Sequence, residues 1–371
     1  MRIAINASDL DHARIDGTRI YIRNILKNFG LLDKEDQFLI YHKNKEFNPE
    51  LSFPVFPNYQ IINLEFPFWW TQVRFGLKIL REKPDVLWMP MHSLPCIRSK
   101  MTKTVVTIHD LAFKLFPDHF PGKDLRRLNY FTDYAIKRAD KIIAVSNSTK
   151  GDILRLYPGA REDKIKVIYH GYDKELFNEN IPSEDINKAK AKHHVSYAKY
   201  LIYVGAIQPR KNIEVLLDAF ASLKRDSSYK DMGLVIAGDL GWFHESIVKK
   251  INESESVILT GKFETKDLPG LLAGAEAFIL PSLYEGFGMT ALEAMACGVP
   301  VIAADNSSLS EIIGENGLLF DENDSQDLER VLRELLKNNK LKDDLKNKGL
   351  ARAAEFSWKK CAQETLDWLI E

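Results

Sequence analysis

The sequence predicts an α/β protein built from two Rossmann-like units, each with its own parallel sheet. Three observations lead there. Short apolar runs alternate with amphipathic helical stretches along nearly the whole chain, the pattern of parallel strands joined by crossover helices. The alternation breaks at 180–198, a polar, lysine-rich stretch, and restarts at Tyr200. The length, 371 residues, is about two domains' worth.

In the first half, strands are expected at 3–7, 38–41, 60–64, 86–89, 104–108, 141–145 and 166–169. A dinucleotide fingerprint would place three glycines just after the first strand, whereas here Gly17 alone precedes the helix at 18–28. That argues against NAD or FAD at this turn. The aromatic-rich stretch 66–80, FPFWWTQVRFGLKIL, carries Arg74 and Lys78 among its apolar residues. Helical packing into the core explains it best, with a membrane interface or lipid-linked acceptor as the alternative. The strand at 104–108 ends in His109-Asp110, and a histidine at the carboxyl end of a parallel strand faces the crevice where such sheets bind ligands. Its charge is expected to change near neutral pH. A helix at 123–138 presents Arg126, Arg127, Lys137 and Arg138 as a solvated face.

In the second half, strands are expected at 200–204, 233–237, 257–259, 277–280, 299–303 and 317–320. The first is followed by GAIQPRKN, where Arg210 and Lys211 stand between a loop and the helix at 213–223. Adjacent cations there suit a phosphate, Arg as a planar fork and Lys as a point charge. Helices at 325–338, 340–355 and 357–370 close the chain.

The stretch that organises this half is AFILPSLYEGFGMTALEAMACGVPVIA. It reads as a strand, a loop with Gly286 and Gly288, a helix from Met289 to about Cys297, and the next strand. The helix N-terminus opens at a strand's carboxyl end, a position suited to phosphate. Glu285 in the loop and Glu293 one turn into the helix bracket it, each placed to accept hydrogen bonds from sugar hydroxyls.

This run resembles the E-x7-E segment of retaining glycosyltransferases of family 4 (glycosyltransferase group 1), and TIHDLAF and GAIQPRKN lean towards its bacterial mannosyltransferase-like members. The resemblance implies a GT-B fold: two Rossmann-like domains with parallel sheets facing across a cleft and a C-terminal helix crossing back to the N-terminal domain. It implies domains at 1–180 (acceptor) and 199–355 (nucleotide-sugar), with 356–371 as the crossing helix. The first Glu of the motif contacts the transferred sugar and the second the nucleotide ribose, which gives Glu285 and Glu293 those roles. His109, Glu285, Arg210 and Lys211 become the catalytic set. Gly17, Thr18, Lys262, Phe263, Gly286, Phe287, Gly288, Met289, Thr290 and Glu293 become the donor-binding set, with Lys262 and Phe263 placed near the base. Gly17 and Thr18 match in place, although DGTRIY has fewer glycines than many members, and the arginine–lysine pair is a shortened form of the family's spacing.

The resemblance implies transfer of a mannose- or glucose-type hexose from a GDP- or UDP-sugar to a glycan or lipid-linked saccharide, with no bound metal. The alternatives are a non-catalytic nucleotide-sugar-binding paralogue and a glycosidase using Glu285 and Glu293; a sugar epimerase is a minor fourth. The formal net charge of −1 gives no global field for nucleic acid. Cys96, Cys297 and Cys361 are far apart, with no metal or disulfide spacing, which fits a reducing cytosol. The opening MRIAINASDL reads as a strand rather than a signal peptide, and no run is long and apolar enough to span a membrane. The expectation is a cytoplasmic protein, at most peripheral at the inner face of the membrane.

Overall fold

The computed structural model describes residues 1–13 and 15–371. The chain divides into two compact bodies, one of residues 1–115, 122–171 and 358–371, the other of residues 116–121 and 172–357.

In the first body the strands are β1 (Arg2–Asn6), β2 (Gln37–His42), β3 (Tyr59–Asn63), β4 (Val86–Met89), β5 (Lys103–Ile108), β6 (Lys141–Ala144) and β7 (Ile165–Val167). All neighbours pair in parallel, in the order β3-β2-β1-β4-β5-β6-β7. The order reverses between β1 and β4, so the loops leaving those strands diverge and open a crevice at their carboxyl ends. Burial on both sheet faces explains why the central strands β1, β2, β4, β5 and β6 read as apolar runs rather than alternating ones, while the edge strand β3 leaves Gln60, Ile61 and Asn63 exposed.

The helix Gly17–Leu32 follows β1, with Asp16 as its N-cap accepting from the Arg19 N–H (3.2 Å). It buries Tyr21, Ile22, Ile25, Leu26 and Phe29. The last helix, Trp358–Ile370, packs on it. Near that helix's end the Lys141 ammonium lies 4.0 Å from the centre of the Trp368 ring and donates to the Trp368 carbonyl at 3.1 Å.

The aromatic stretch departs from expectation. It forms a π-helical turn, Thr71–Phe75, continued by the helix Gly76–Glu82. Trp70, Phe75 and Ile79 are buried as a core stripe should be, but Phe66, Phe68, Trp69, Val73, Leu77 and Leu80 are exposed. Both sides of the helix are apolar, and one sheet face can cover only one of them.

The second body holds β8 (Lys199–Val204), β9 (Met232–Ala237), β10 (Val257–Gly261), β11 (Ala277–Leu280), β12 (Val301–Ala304) and β13 (Leu318–Phe320). Its order is β10-β9-β8-β11-β12-β13, again parallel, with the reversal between β8 and β11. The polar stretch before β8 contains the helix Ser183–Lys192. Among the described residues no helix is long and apolar enough to cross a membrane.

Candidate active site

The reversal point of the second sheet brings the sequence-predicted charges together. Arg210 and Lys211 lie in a single 3-10 turn, Pro209–Lys211, after β8, and Glu285 lies in the loop after β11, the strand paired with β8. The two loops are tied through the backbone, the Leu283 N–H donating to the Arg210 carbonyl at 3.0 Å. Arg210 Nη1 also donates to the Tyr284 carbonyl and stands 3.6 Å from Glu285 Oε2, while Lys211 Nζ donates to Glu285 Oε1. Burial alone would push the Glu285 carboxyl up, but the Lys211 and Arg210 charges outweigh it and hold it down to about 2. The arrangement is a buried carboxylate locked between two cations, with the Arg210 Nε–H buried and without a partner among the described residues.

Serines missed by sequence reasoning complete this shell. Ser282 Oγ donates to Glu285 Oε1 (2.6 Å). The Glu285 N–H donates to Ser307 Oγ (3.0 Å), and Ser308 Oγ donates to the Glu285 carbonyl (2.8 Å). Asn306 Nδ2 reaches the Ser282 carbonyl (3.1 Å), so the loop after β12 braces the loop after β11. Ser307 pays for this with a left-handed backbone, φ +46°. The sequence signal was the polar run NSSLS directly after a buried strand. His119 was missed too; its half-buried ring stacks on Phe116, and burial followed by the nearby Arg210 charge lowers its pKa.

The glycine loop turns as expected. Gly288 has φ +88°, and a Cβ there would sit 2.8 Å from Leu309 Cδ2, so both the backbone angle and the space require glycine. The helix Met289–Ala296 begins immediately after it, with Met289 and Thr290 part-exposed in its first turn. Phe287 of the donor-binding set has its ring buried edge-on against Phe356, ring centres 5.9 Å apart, which makes that side chain part of the packing. Gly286 is part-exposed. Lys262 is exposed and Phe263 half-buried just past Gly261 (φ +67°) at the end of β10.

Glu293 is the opposite of Glu285. It is 8 % exposed, and its carboxyl has neither a cation nor a hydrogen-bond donor among the described residues. Burial, followed by the Asp173 charge, pushes it up to about 8. Without a ligand this carboxyl is mostly neutral at pH 7.

In the first body, the loops after β4, β5 and β7 carry an aromatic and histidine cluster. His109 Nε2 donates to the Pro90 carbonyl (2.8 Å), and the His109 backbone N–H donates to His92 Nε2 (2.7 Å). His170 completes the group, its ring 5.6 Å from that of His109 and stacked on Tyr21 at 4.8 Å. Burial, with His92 next, takes His109 down to about 3. The expected change of charge near neutral pH is therefore wrong: this imidazole is neutral, with its tautomer set by Pro90. His92 and His170 are held neutral by the same burial, and their signal in the sequence was again a histidine just past a strand. Asp110 accepts from the Ala112 N–H (3.0 Å) and so caps the short helix that follows. Gly17 and Thr18 are the first, half-buried residues of their helix.

Asp9-Leu10-Asp11 is a literal Asp-x-Asp, but both oxygens of Asp11 are engaged, one with His42 and the other with the Lys43 and Asn44 N–H groups. Asp9 faces Arg19 at 3.9 Å.

Parallel sheets in two bodies, with cations and a carboxylate at the reversal point of one and buried histidines at the strand ends of the other, are the features of a GT-B-type transferase. Residues 185–352 match the family "Glycosyl transferases group 1", and residues 32–176 match "Glycosyltransferase Family 4". The chain is 30% identical over 294 residues to O-antigen chain mannosyltransferase B of Escherichia coli, covering 78% of this chain and 75% of that one. It is also 30% identical over 271 residues to the serotype-specific mannosyltransferase WbdA of the same species, covering 71% of this chain but only 33% of that longer protein. Among solved structures, Anabaena HepE in complex with UDP and glucose superposes with a TM-score of 0.76 at 20% identity, over 100% of this chain and 99% of that one. WaaG, a glycosyltransferase of lipopolysaccharide biosynthesis, superposes at 0.75 with 17% identity over 99% of each chain. The chain belongs to the group 1, family 4 glycosyltransferases with the GT-B fold. It is an enzyme that transfers a sugar from a nucleotide sugar.

Proposed function

We propose that this enzyme moves a mannose- or glucose-type hexose from a GDP- or UDP-sugar to a glycan or lipid-linked saccharide at the cytoplasmic face of a membrane, with retention of anomeric configuration and without a metal. The observation that carries the reading is the Arg210–Lys211–Glu285 cluster at the sheet reversal. Two half-buried cations, Arg210 held by the Tyr284 carbonyl and Lys211 by Glu285, form a preorganised site for a diphosphate that gains charge as the bond to the sugar breaks. The free N–H groups at Met289 and Thr290 add to it. When the diphosphate draws the cations, Glu285 is released from its ion pairs to take hydroxyls of the transferred sugar, with Ser282 keeping it in place. A phosphate oxygen of the donor then takes the acceptor proton on the same face, which gives retention.

Glu293, an acceptor with no donor, fits a ribose diol. His109 offers a neutral ring for a sugar hydroxyl, and Gly17, Thr18, Lys262 and Phe263 contribute to donor binding. The relatives named as mannosyltransferases support mannose as the sugar.

The test is a thermal-shift panel of UDP, GDP and ADP, each with its common sugar forms, on the wild type and on Glu293→Ala, followed by NMR of the product's anomeric proton. One nucleotide family should raise the melting temperature by roughly 2–4 °C at ~100 times its Kd, and Glu293→Ala should abolish the shift. No shift with any nucleotide would overturn the donor assignment. An inverted product would overturn the mechanism.

A further inference from the structure

A short piece from the first half of the chain is seated beside the Arg210 loop. The chain leaves the first body after Leu115 and rejoins it at Gly122, and residues 116–121 belong to the second body. They form one 3-10 turn, Pro117–His119. The His119 N–H donates to the Phe116 carbonyl and the Phe120 N–H to the Pro117 carbonyl, both at 3.1 Å. Two rings fasten the turn. Phe116 lies 6.3 Å from the Tyr284 ring, and Phe120 lies 5.6 Å from the Trp242 ring in the loop after β9. That loop is tied to the one carrying Arg210, the Gly241 N–H donating to the Ile207 carbonyl at 2.9 Å. A turn fastened at both ends fixes what stands between them, and that is His119.

Tyr284 joins His119 to Arg210. Its ring meets Phe116, on which the His119 ring stacks at 5.6 Å, and its carbonyl accepts from Arg210 Nη1. Two buried polar atoms grouped around it have no hydrogen-bond partner among the described residues, His119 Nδ1 and Arg210 Nε. Buried polar atoms are costly to leave unpaired, so a pair of them in one corner calls for a ligand. Arg Nε can only donate, and a neutral imidazole can donate from Nδ1, so the shared partner is an oxygen that accepts from both. The charge of that oxygen is negative. After burial, the Arg210 charge is what denies His119 a proton, with the exposed Asp118 acting more weakly the other way, and an anion placed at both relieves the opposition. Because Glu285, the carboxylate for the transferred sugar, stands 3.6 Å from Arg210, the phosphate at this corner is the one bonded to the sugar.

We propose that His119 is a further catalytic residue, donating from Nδ1 to the sugar-bearing phosphate of the donor beside Arg210 Nε. A half-turn of the ring about its Cβ–Cγ bond moves Nδ1 to the opposite edge and keeps the stack on Phe116, so the ring can meet the phosphate without moving the chain. A neutral N–H strengthens as the phosphate gains charge, yet adds no third cation to repel Arg210 and Lys211. The inference rests on the placement of the diphosphate at Arg210 and Lys211.

The experiment is calorimetry of the full chain with GDP, UDP, GMP and UMP, on the wild type and on His119→Phe, His119→Asn and Arg210→Ala. His119→Phe keeps a flat ring on Phe116 and removes both nitrogens. His119→Asn loses the ring and keeps an N–H donor at the place of Nδ1. A packing role would spare the first and penalise the second, whereas a phosphate contact reverses the order. For the nucleoside diphosphate that the wild type binds, His119→Phe should weaken affinity ~10-fold or more. His119→Asn should stay within about threefold, and the matching monophosphate should bind both variants within about twofold of wild type. Equal diphosphate affinity in wild type and His119→Phe, with Arg210→Ala weakened, overturns the inference and leaves the diphosphate placement standing. If Arg210→Ala also binds like wild type, or the wild type binds neither diphosphate, both fall together. Loss in His119→Asn with retention in His119→Phe makes the residue a packing element and overturns the inference as well.

Discussion

The two sheets share a topology and differ in the side chains they carry at the carboxyl ends of their strands. After β8 and β11 stand two cations and a carboxylate held down to about 2. After β4 and β5 stand His92 and His109, neutral because burial denies them a proton. The same architecture thus yields one end that manages charge and one that supplies uncharged hydrogen bonds. Function here resides in the side chains carried by the loops rather than in the fold. A transferase needs both characters: charge for a leaving diphosphate, and a neutral surface where an alcohol must stay a weak acid until its proton is taken.

The largest effect should come from breaking the charged end. Lys211→Ala is expected to lower kcat by about 10²–10³-fold, with Arg210→Ala in the same range. Loss of Lys211 also leaves Glu285 with less opposing charge, so its carboxyl should titrate higher, visible by NMR of a side-chain-labelled glutamate. If kcat were unchanged in both, the diphosphate would have to lie elsewhere.

Glu285→Gln sharpens the comparison, because it keeps the shape and removes the charge. Expected is a fall in kcat of about 10²-fold with nucleotide affinity nearly intact, read from steady-state kinetics beside calorimetry. Ser282→Ala should follow in the same direction with a smaller loss.

The third effect concerns protons. A diol donating to Glu293 favours its charged form, so nucleotide binding at pH 7 should expel a proton and affinity should rise from pH 6 to about 8. Calorimetry in buffers of different ionisation heats measures the proton directly, and Glu293→Gln should abolish the release. The stability sign is also determined. The folded pKa of Glu293 lies above its ordinary value, so its contribution is fully present below about 4.5 and is lost as pH rises towards about 8. Glu293→Gln should therefore gain ~2 °C or more in Tm relative to wild type at pH 8.5 than at pH 5. Glu285 has the opposite sign: its depressed folded pKa gives stability above about 4.5 that is lost as pH falls towards about 2.

The smallest effect tests the neutral end. His109 stays unprotonated throughout the working range, so the kcat profile between pH 5 and 8 should look the same in wild type and in His109→Asn, even though the substitution lowers the rate. A limb near 6.5 that disappears in the variant would show that His109 titrates during turnover.

Much of this molecule was legible in its amino-acid order. Every strand of both sheets was placed within a few residues, because strands buried on both faces must be apolar runs and the helices between them keep their own period. Arg210, Lys211, Glu285 and Gly288 could be singled out because each follows a buried strand or opens a helix, positions that a sequence marks by its punctuation. What only tertiary structure decided depends on neighbours far away in sequence. Glu285 and Glu293 look alike in EGFGMTALE, yet one finds two cations from a loop 74 residues earlier and the other finds only burial and Asp173. His109 looked titratable because its surroundings come from distant parts of the chain, Tyr21 from a helix and His170 from the loop after β7. The aromatic helix carries apolar residues on both sides, and its sequence alone could not say which side the sheet would cover. Periodicity records what a segment can bury; the assembled fold decides what it does bury, and with that the charge each buried group is able to keep.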